Sequence, residues 1–316
     1  MVHKDVKRFF VHGFLLALPL VALLGYVEYR LRAIPNSYNT KRAYLERQLD
    51  SIEVLALGSS QTYDGINPSL FKRRGFNLGV IGQSLFFDMS LTQKYIDQMP
   101  RLRCVVLALS YFSFGYELQD TGEYWRDYYY YHFWDIKADD VKWYDLRMVS
   151  FIALYTPKVV LRFAAHGFEV NEAKTMQPNG WNRTEGTVYE AISDSLGRER
   201  VRVHDILMKS SRVDENFRKL SALFADLNRR GIKIVIVTPP VYSTYAKFAN
   251  LKILELNRRL IDSLCVLHGC VHADFFRDPR FVVTDFNDND HLNMTGAEKF
   301  TRILNDDVLS RACPSN

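Results

Sequence analysis

Apolar positions come in short dense runs separated by longer stretches with helical spacing. Glu53–Leu57, Arg103–Leu109 and Ile232–Val237 are near-continuous apolar runs, the pattern of strands buried on both faces. Phe76–Gly82 reads as a short strand running into a glycine turn, and Val271–Phe275 as a fifth strand. Helical patterns cover Thr40–Leu49, Leu85–Met99 and Leu251–Leu267. Asn216–Arg230 places Phe217, Leu220, Phe224 and Leu227 on one face and stops at Gly231. A last helix carries Ala297, Phe300, Leu304 and Val308 inward, and Thr295-Gly296-Ala297-Glu298 has the form of a capping box at its start. Strands alternating with helices predict βαβ units. The expected fold is an α/β three-layer sandwich around a central five-stranded parallel sheet.

The alternation breaks once, between the third and fourth strands. Residues 111–213 are too many for a simple crossover and must carry structure of their own. Their first part is densely aromatic: Tyr124-Trp125, then Tyr128 to Trp134. Two readings stay open, a core-filling subdomain or a pocket wall that stacks on sugar rings or holds an acyl chain. Phe151–Phe163 is apolar enough to suggest a membrane segment, but Pro157, Lys158 and Arg162 interrupt it and favour a buried or surface-lying helix.

Phe9–Val27 is an apolar stretch of about the length a bilayer requires, preceded by Lys4, Lys7 and Arg8. It exceeds the usual core of a cleaved signal, and no small-x-small site follows it, so the expectation is an uncleaved anchor. The chain then divides into an anchor, residues 1–32, and an α/β domain, residues 33–316, that carries the insertion. A short basic amino terminus stays in the cytoplasm, which puts the domain on the extracytoplasmic side of a single-pass cytoplasmic (inner) membrane protein.

Composition narrows the class further. With 316 residues, 47 % apolar and 24 % charged, the chain has the makings of a sizeable core. Its net charge of +5 is spread without a basic stripe, which excludes nucleic acid as the expected partner. Cys265 and Cys270 are close enough for a small loop disulfide, yet free thiols, or a metal site shared with His268 and His272, stay open.

The candidate chemistry lies at the two ends of the domain. The first strand ends in Gly58-Ser59-Ser60, beyond the carboxyl edge where open α/β sheets gather ligands. An ordinary strand-to-turn boundary has the same residues. Asp288-Asn289-Asp290-His291 supplies what a serine needs: a histidine to take its proton and a carboxylate to fix that histidine's tautomer. Asp288 stands three residues before His291; Asp290 competes for the same role.

Gly58-x-Ser60, Asn77-x-Gly79-x-x-Gly82 and Asp288-x-x-His291, in this order, resemble the blocks of the SGNH (GDSL-type) hydrolases. The likeness is strongest to membrane-anchored members associated with polysaccharide O-acetylation and D-alanyl transfer, in which Ser59 likewise replaces the family's aspartate. The resemblance implies a flavodoxin-like fold and a catalytic triad of Ser60, His291 and Asp288. It implies an oxyanion hole from the N–H groups of Ser60 and Gly82. It also implies an acyl group, acetyl foremost, carried to a cell-surface or secreted glycan and supplied by a polytopic membrane-bound O-acyltransferase. No cofactor or metal is called for. One block departs: the third strand runs into Leu109-Ser110-Tyr111-Phe112 without the family's asparagine. Losing one such donor slows catalysis about 100- to 1000-fold. Ser110 and Tyr111 are the candidates for a substitute. The rival functions are an esterase or deacetylase that uses water and a non-catalytic glycan-binding subunit.

Overall fold

In a computed structural model, which describes residues 2–314, the apolar runs become the strands of one sheet. The first part of the chain forms α1 (Val2–Ala33), α2 (Ser37–Glu46), β1 (Val54–Leu57), α3 (Ser60–Gly65), β2 (Gly75–Asn77), α4 (Leu85–Tyr95) and β3 (Cys104–Ala108). The long connection holds α5 (Asp127–Trp134), α6 (Phe151–Leu154), α7 (Pro157–Ala165), α8 (Asp194–Leu207) and α9 (Ser210–Arg229). Then follow β4 (Lys233–Thr238), α10 (Ser243–Ala246), α11 (Leu251–His268), β5 (Val271–Asp274) and α12 (Met294–Ile303).

The chain divides into two compact units, one running to Asn36 and including Lys137–Lys174, the other built from Ser37–Ile136 and Thr175 onward. The second contains the five strands, all parallel, in the order β2-β1-β3-β4-β5. Every residue of β1 and β3 is buried, which is why both read as unbroken apolar runs. On one face Val54, Ala56, Val106, Val235 and Val237 pack with Phe300 and Leu304 of the carboxyl-terminal helical segment. The inward face expected of α12 is the one observed.

One local expectation is corrected, and two readings left open are resolved. The cap of α12 is Asn293, whose side chain accepts the Gly296 N–H, so the helix starts at Met294 and the Thr295 capping box does not form. The cysteine pairing is Cys104–Cys313, across 209 residues, and Cys265 and Cys270 are free thiols. The metal alternative finds no support, since His268 bonds Ser221 and His272 bonds Thr238. Phe151–Phe163 forms neither a span nor one helix: α6 stops before Pro157, which occupies the first turn of α7.

In the first unit, α1 presents an apolar window within Val6–Ala33 of mean hydropathy 2.1, none of it buried in protein. Length and composition fit a membrane span or a signal sequence. The carboxyl-terminal end of α1 is pinned within its unit. Glu28 accepts the N–H groups of Phe151 and Ile152 and the Ser150 hydroxyl, and Arg32 donates to Glu28 and to the Val149 carbonyl.

The Cys104–Cys313 bond closes a long loop around the sheet, and removing such a crosslink costs about 2–5 kcal/mol. The double variant Cys104→Ala/Cys313→Ala should therefore unfold at lower urea, with a somewhat steeper denaturant slope as the released unfolded chain expands. An unshifted midpoint would sink this assignment of the pair.

Candidate active site

The turn from β1 into α3 has no room for a side chain. Gly58 has φ +134°, and a Cβ there would lie 2.8 Å from the Ala108 carbonyl oxygen and collide with the Thr62 hydroxyl. Its N–H donates to Asp88 Oδ1 at 2.8 Å. Ser59 is extended, α3 begins at Ser60, and so the Ser60 N–H has no acceptor within the helix. The Thr62 hydroxyl donates back to the Leu57 carbonyl, which fixes the angle between strand and helix. Asn77, from the expected second block, is buried, and its amide donates to the carbonyls of Thr62 and Ile66. It clasps the far end of α3, and its oxygen accepts the Gly79 N–H.

At the other end of the sequence, the loop before α12 brings His291 to this turn. Ser60 Oγ lies 2.8 Å from His291 Nε2, across 231 residues of chain. His291 Nδ1 is 3.0 Å from both carboxylate oxygens of Asp288. The backbone N–H groups of Asp290 and His291 also donate to Asp288 Oδ1, which holds the carboxylate edge-on to the ring. Asp290 is 3.6 Å from Nδ1 and is engaged instead by Arg200, whose Nε donates to both its oxygens. Of the two competing acids, Asp288 is the one bonded to the imidazole.

The surroundings set the charge of this group. Burial alone would lower the His291 pKa, but the carboxylates of Asp290, Asp288 and Asp64 outweigh it and raise the pKa to about 9. Burial works against the Asp288 carboxylate too, and the bonds from His291 overcome it and hold its pKa at about 2. At neutral pH the resting pair is an imidazolium on a carboxylate, with Ser60 as the third member. Asp288, Asp290 and His291 are also close enough together to offer ligands to a cation. Both ring nitrogens and the Asp290 carboxylate already have partners among Asp288, Ser60 and Arg200.

Ser60 opens onto a cavity of about 340 Å³ whose lining includes Ser59, Gly82, Gln83, Phe112, Tyr116 and Glu123, with Arg200, Val203, His204 and Leu207 on one face of α8. Gly82 has φ +70° in the turn from Val80 to Gln83, so its N–H is not used to close that turn. Ser60 and Gly82 thus line the same space. The two substitute donors do not. Ser110 gives its hydroxyl to Gln61 Oε1 at 2.6 Å, and Tyr111 gives its own to Asp205 at 2.6 Å.

Several residues here were not singled out from the sequence. Asp88 and Gln83 are buried and bonded to each other at 2.6 Å, and Tyr130 of the aromatic run donates to Gln83. Lys41 is fully buried, donates to the Gly79 carbonyl and lies 4.6 Å from the Tyr63 ring centre. His204 stacks on Phe112 with ring centres 4.2 Å apart, and burial pushes its pKa down to about 4, so it lines the cavity as a neutral ring. The helical spacing of Arg200, Val203, His204 and Leu207 was the available signal for the α8 wall. Nothing in the pattern marked Asp88 or Lys41, since polar residues are expected outside. The aromatic run is mainly core: Tyr128, Tyr129, Tyr130 and Trp134 are buried, and Tyr130 stacks on Phe87 at 3.6 Å.

No protein-family model matches the chain, and no curated protein does. Among solved structures, the chain is similar to a protein from Streptococcus pneumonia described provisionally as a platelet activating factor. The TM-score is 0.42 and the identity 11 %, over 92 % of this chain and 97 % of that one. The functional reading therefore stands on the site's own geometry.

Proton removal from Ser60 needs the neutral ring, which is the minority form below the raised His291 pKa. The rate of Ser60 labelling by a fluorophosphonate should climb with pH and level off near pH 9. In Asp290→Asn the carboxylate that most raises that pKa is gone, so the climb should end at lower pH. A profile that is flat, or unmoved in the variant, counts against this electrostatic picture. Gly58→Ala should cut labelling at every pH by displacing the turn.

Proposed function

We propose that the chain is a membrane-anchored SGNH-type serine enzyme that takes an acyl group, acetyl foremost, onto Ser60 and passes it to a hydroxyl of a cell-surface or secreted glycan. The observation that carries this reading is the Ser60–His291–Asp288 contact at 2.8 and 3.0 Å, made at the open end of β1. Ser60 Oγ attacks the carbonyl carbon of an acyl donor while His291 Nε2 takes the hydroxyl proton. The oxyanion forms against the N–H groups of Ser60 and Gly82. Collapse expels the donor's leaving group, which receives the proton from His291. An acceptor hydroxyl then gives its proton to His291 and attacks the acyl-serine, and the returning proton restores Ser60. Asp288 keeps the ring's tautomer and balances the imidazolium at both steps.

Two further observations support the setting. A disulfide between Cys104 and Cys313 belongs in an oxidising compartment, in keeping with an extracytoplasmic domain held by α1. The cavity mixes the rings of Phe112 and Tyr116 with Thr121, Glu123 and Arg200, a lining suited to a hydroxyl-rich acceptor that both stacks and hydrogen-bonds. The polytopic O-acyltransferase that would deliver the acyl group rests on the family resemblance alone.

Intact-protein mass spectrometry of the full chain in detergent, after exposure to an activated acetyl ester, tests the proposal. A single acetyl adduct is expected on the native protein and none on Ser60→Ala. Asp288→Asn should acquire the adduct about 1000- to 10,000-fold more slowly. Adding a glycan should then discharge the adduct faster than water does. Rapid discharge by water alone would make the protein an esterase, and no adduct on folded native protein would remove the catalytic reading.

A further inference from the structure

We infer that residues 143–168 form a collar that lies in the headgroup layer of the membrane, around the point where α1 leaves the hydrocarbon. The inference rests on the anchoring role of α1 proposed above.

The stretch exposes large apolar side chains in a density that the rest of the protein does not require of it. Trp143 is 81 % exposed, and Leu146 and Leu161 are each 70 % exposed; Tyr144 and Val149 are alike. A shortage of core does not explain this, because Phe151, Leu154 and Phe163 of the same stretch are buried and Phe163 packs edge-on against Tyr155. Clustered exposed apolar groups of this kind mark a surface that meets something else.

Their position along α1 identifies the occupant. Val149 to Ile152 are bonded to Glu28 and Arg32, Gly167 accepts from Arg30, and Phe168 meets Tyr26 edge-on. The collar is therefore level with the end of the apolar window, where Tyr26 and Tyr29 are themselves exposed. That is the depth at which tryptophan and tyrosine collect, with the ring in the acyl boundary and the polar edge in water. Lys158 and Arg162 are exposed in the same stretch and Lys142 is exposed just before it, basic groups that suit lipid phosphates; Arg162 also pairs with Glu172. Neither α6 nor α7 is long enough to cross a bilayer, so this surface lies along the membrane.

Tryptophan emission of the full chain in lipid-only nanodiscs tests the assignment. Among the four tryptophans, only Trp143 belongs to the collar, and α1 contains none. Lipids brominated near the headgroup should quench part of the emission, and that part should vanish in Trp143→Phe. Leu161→Glu, at an exposed position, should weaken it while the protein still floats with vesicles after alkaline extraction. Flotation without Trp143-dependent quenching overturns the collar and leaves the anchor standing. Loss of flotation overturns both. Shielding of Trp143 in native membranes, but no quenching in lipid alone, overturns the lipid assignment in favour of a membrane-protein partner.

Discussion

Everything in the candidate site depends on how closely β1 and β3 approach at Gly58. The strand must turn over the Ala108 carbonyl within a space that admits no Cβ, and it does so with its N–H held by Asp88. Burial raises the Asp88 pKa to about 7, and the carboxyl is kept in place by Gln83, which is itself held by Tyr130. The position of Ser60 is thus passed from the aromatic helix α5, through the glycine turn after β2, to the end of β1. The dense run of tyrosines works as a buttress behind the site, and the wall in front of it is supplied by α8.

The same helix joins the cavity lining to the charged groups around His291. Three carboxylates surround one imidazole, and their roles are separated by what else they touch. Asp288 bonds the ring, Asp64 accepts from Asn182 and Thr184, and Asp290 is taken by Arg200. Because Arg200 also lines the cavity, any ligand that drew on its guanidinium would alter the field felt by His291.

Much of this was legible in the chain and some was not, for physical reasons. Continuous burial makes β1, β3 and β4 visible as apolar runs, and the periodicity of Ala297, Phe300 and Leu304 fixes the inner face of the last helical segment. Ser60, Asp288 and His291 stand out because each sits where an element starts or a loop ends, away from any apolar pattern. The sequence points to Thr295 as the cap of α12 because both Asn293 and Thr295 can cap. The choice fell to Asn293, whose amide also donates to the carbonyls of Thr284 and Phe286. Cysteine proximity in sequence points to Cys265 and Cys270, and these do lie beside each other in space, but as free thiols; the disulfide joins the central strand to the last residues described. The Asp88–Gln83 pair was invisible because a buried polar network has no periodicity to betray it.

The distance in sequence between Ser60 and His291 has a consequence for the chain while it is being made. The serine, its turn and the first three strands are all synthesised long before the acid and base that would activate it. An amino-terminal fragment that stops short of Asp288 carries an inert alcohol, however well its part of the sheet has formed. On the proposed function, a growing chain would stand beside acyl donors without reacting until its final helix docks.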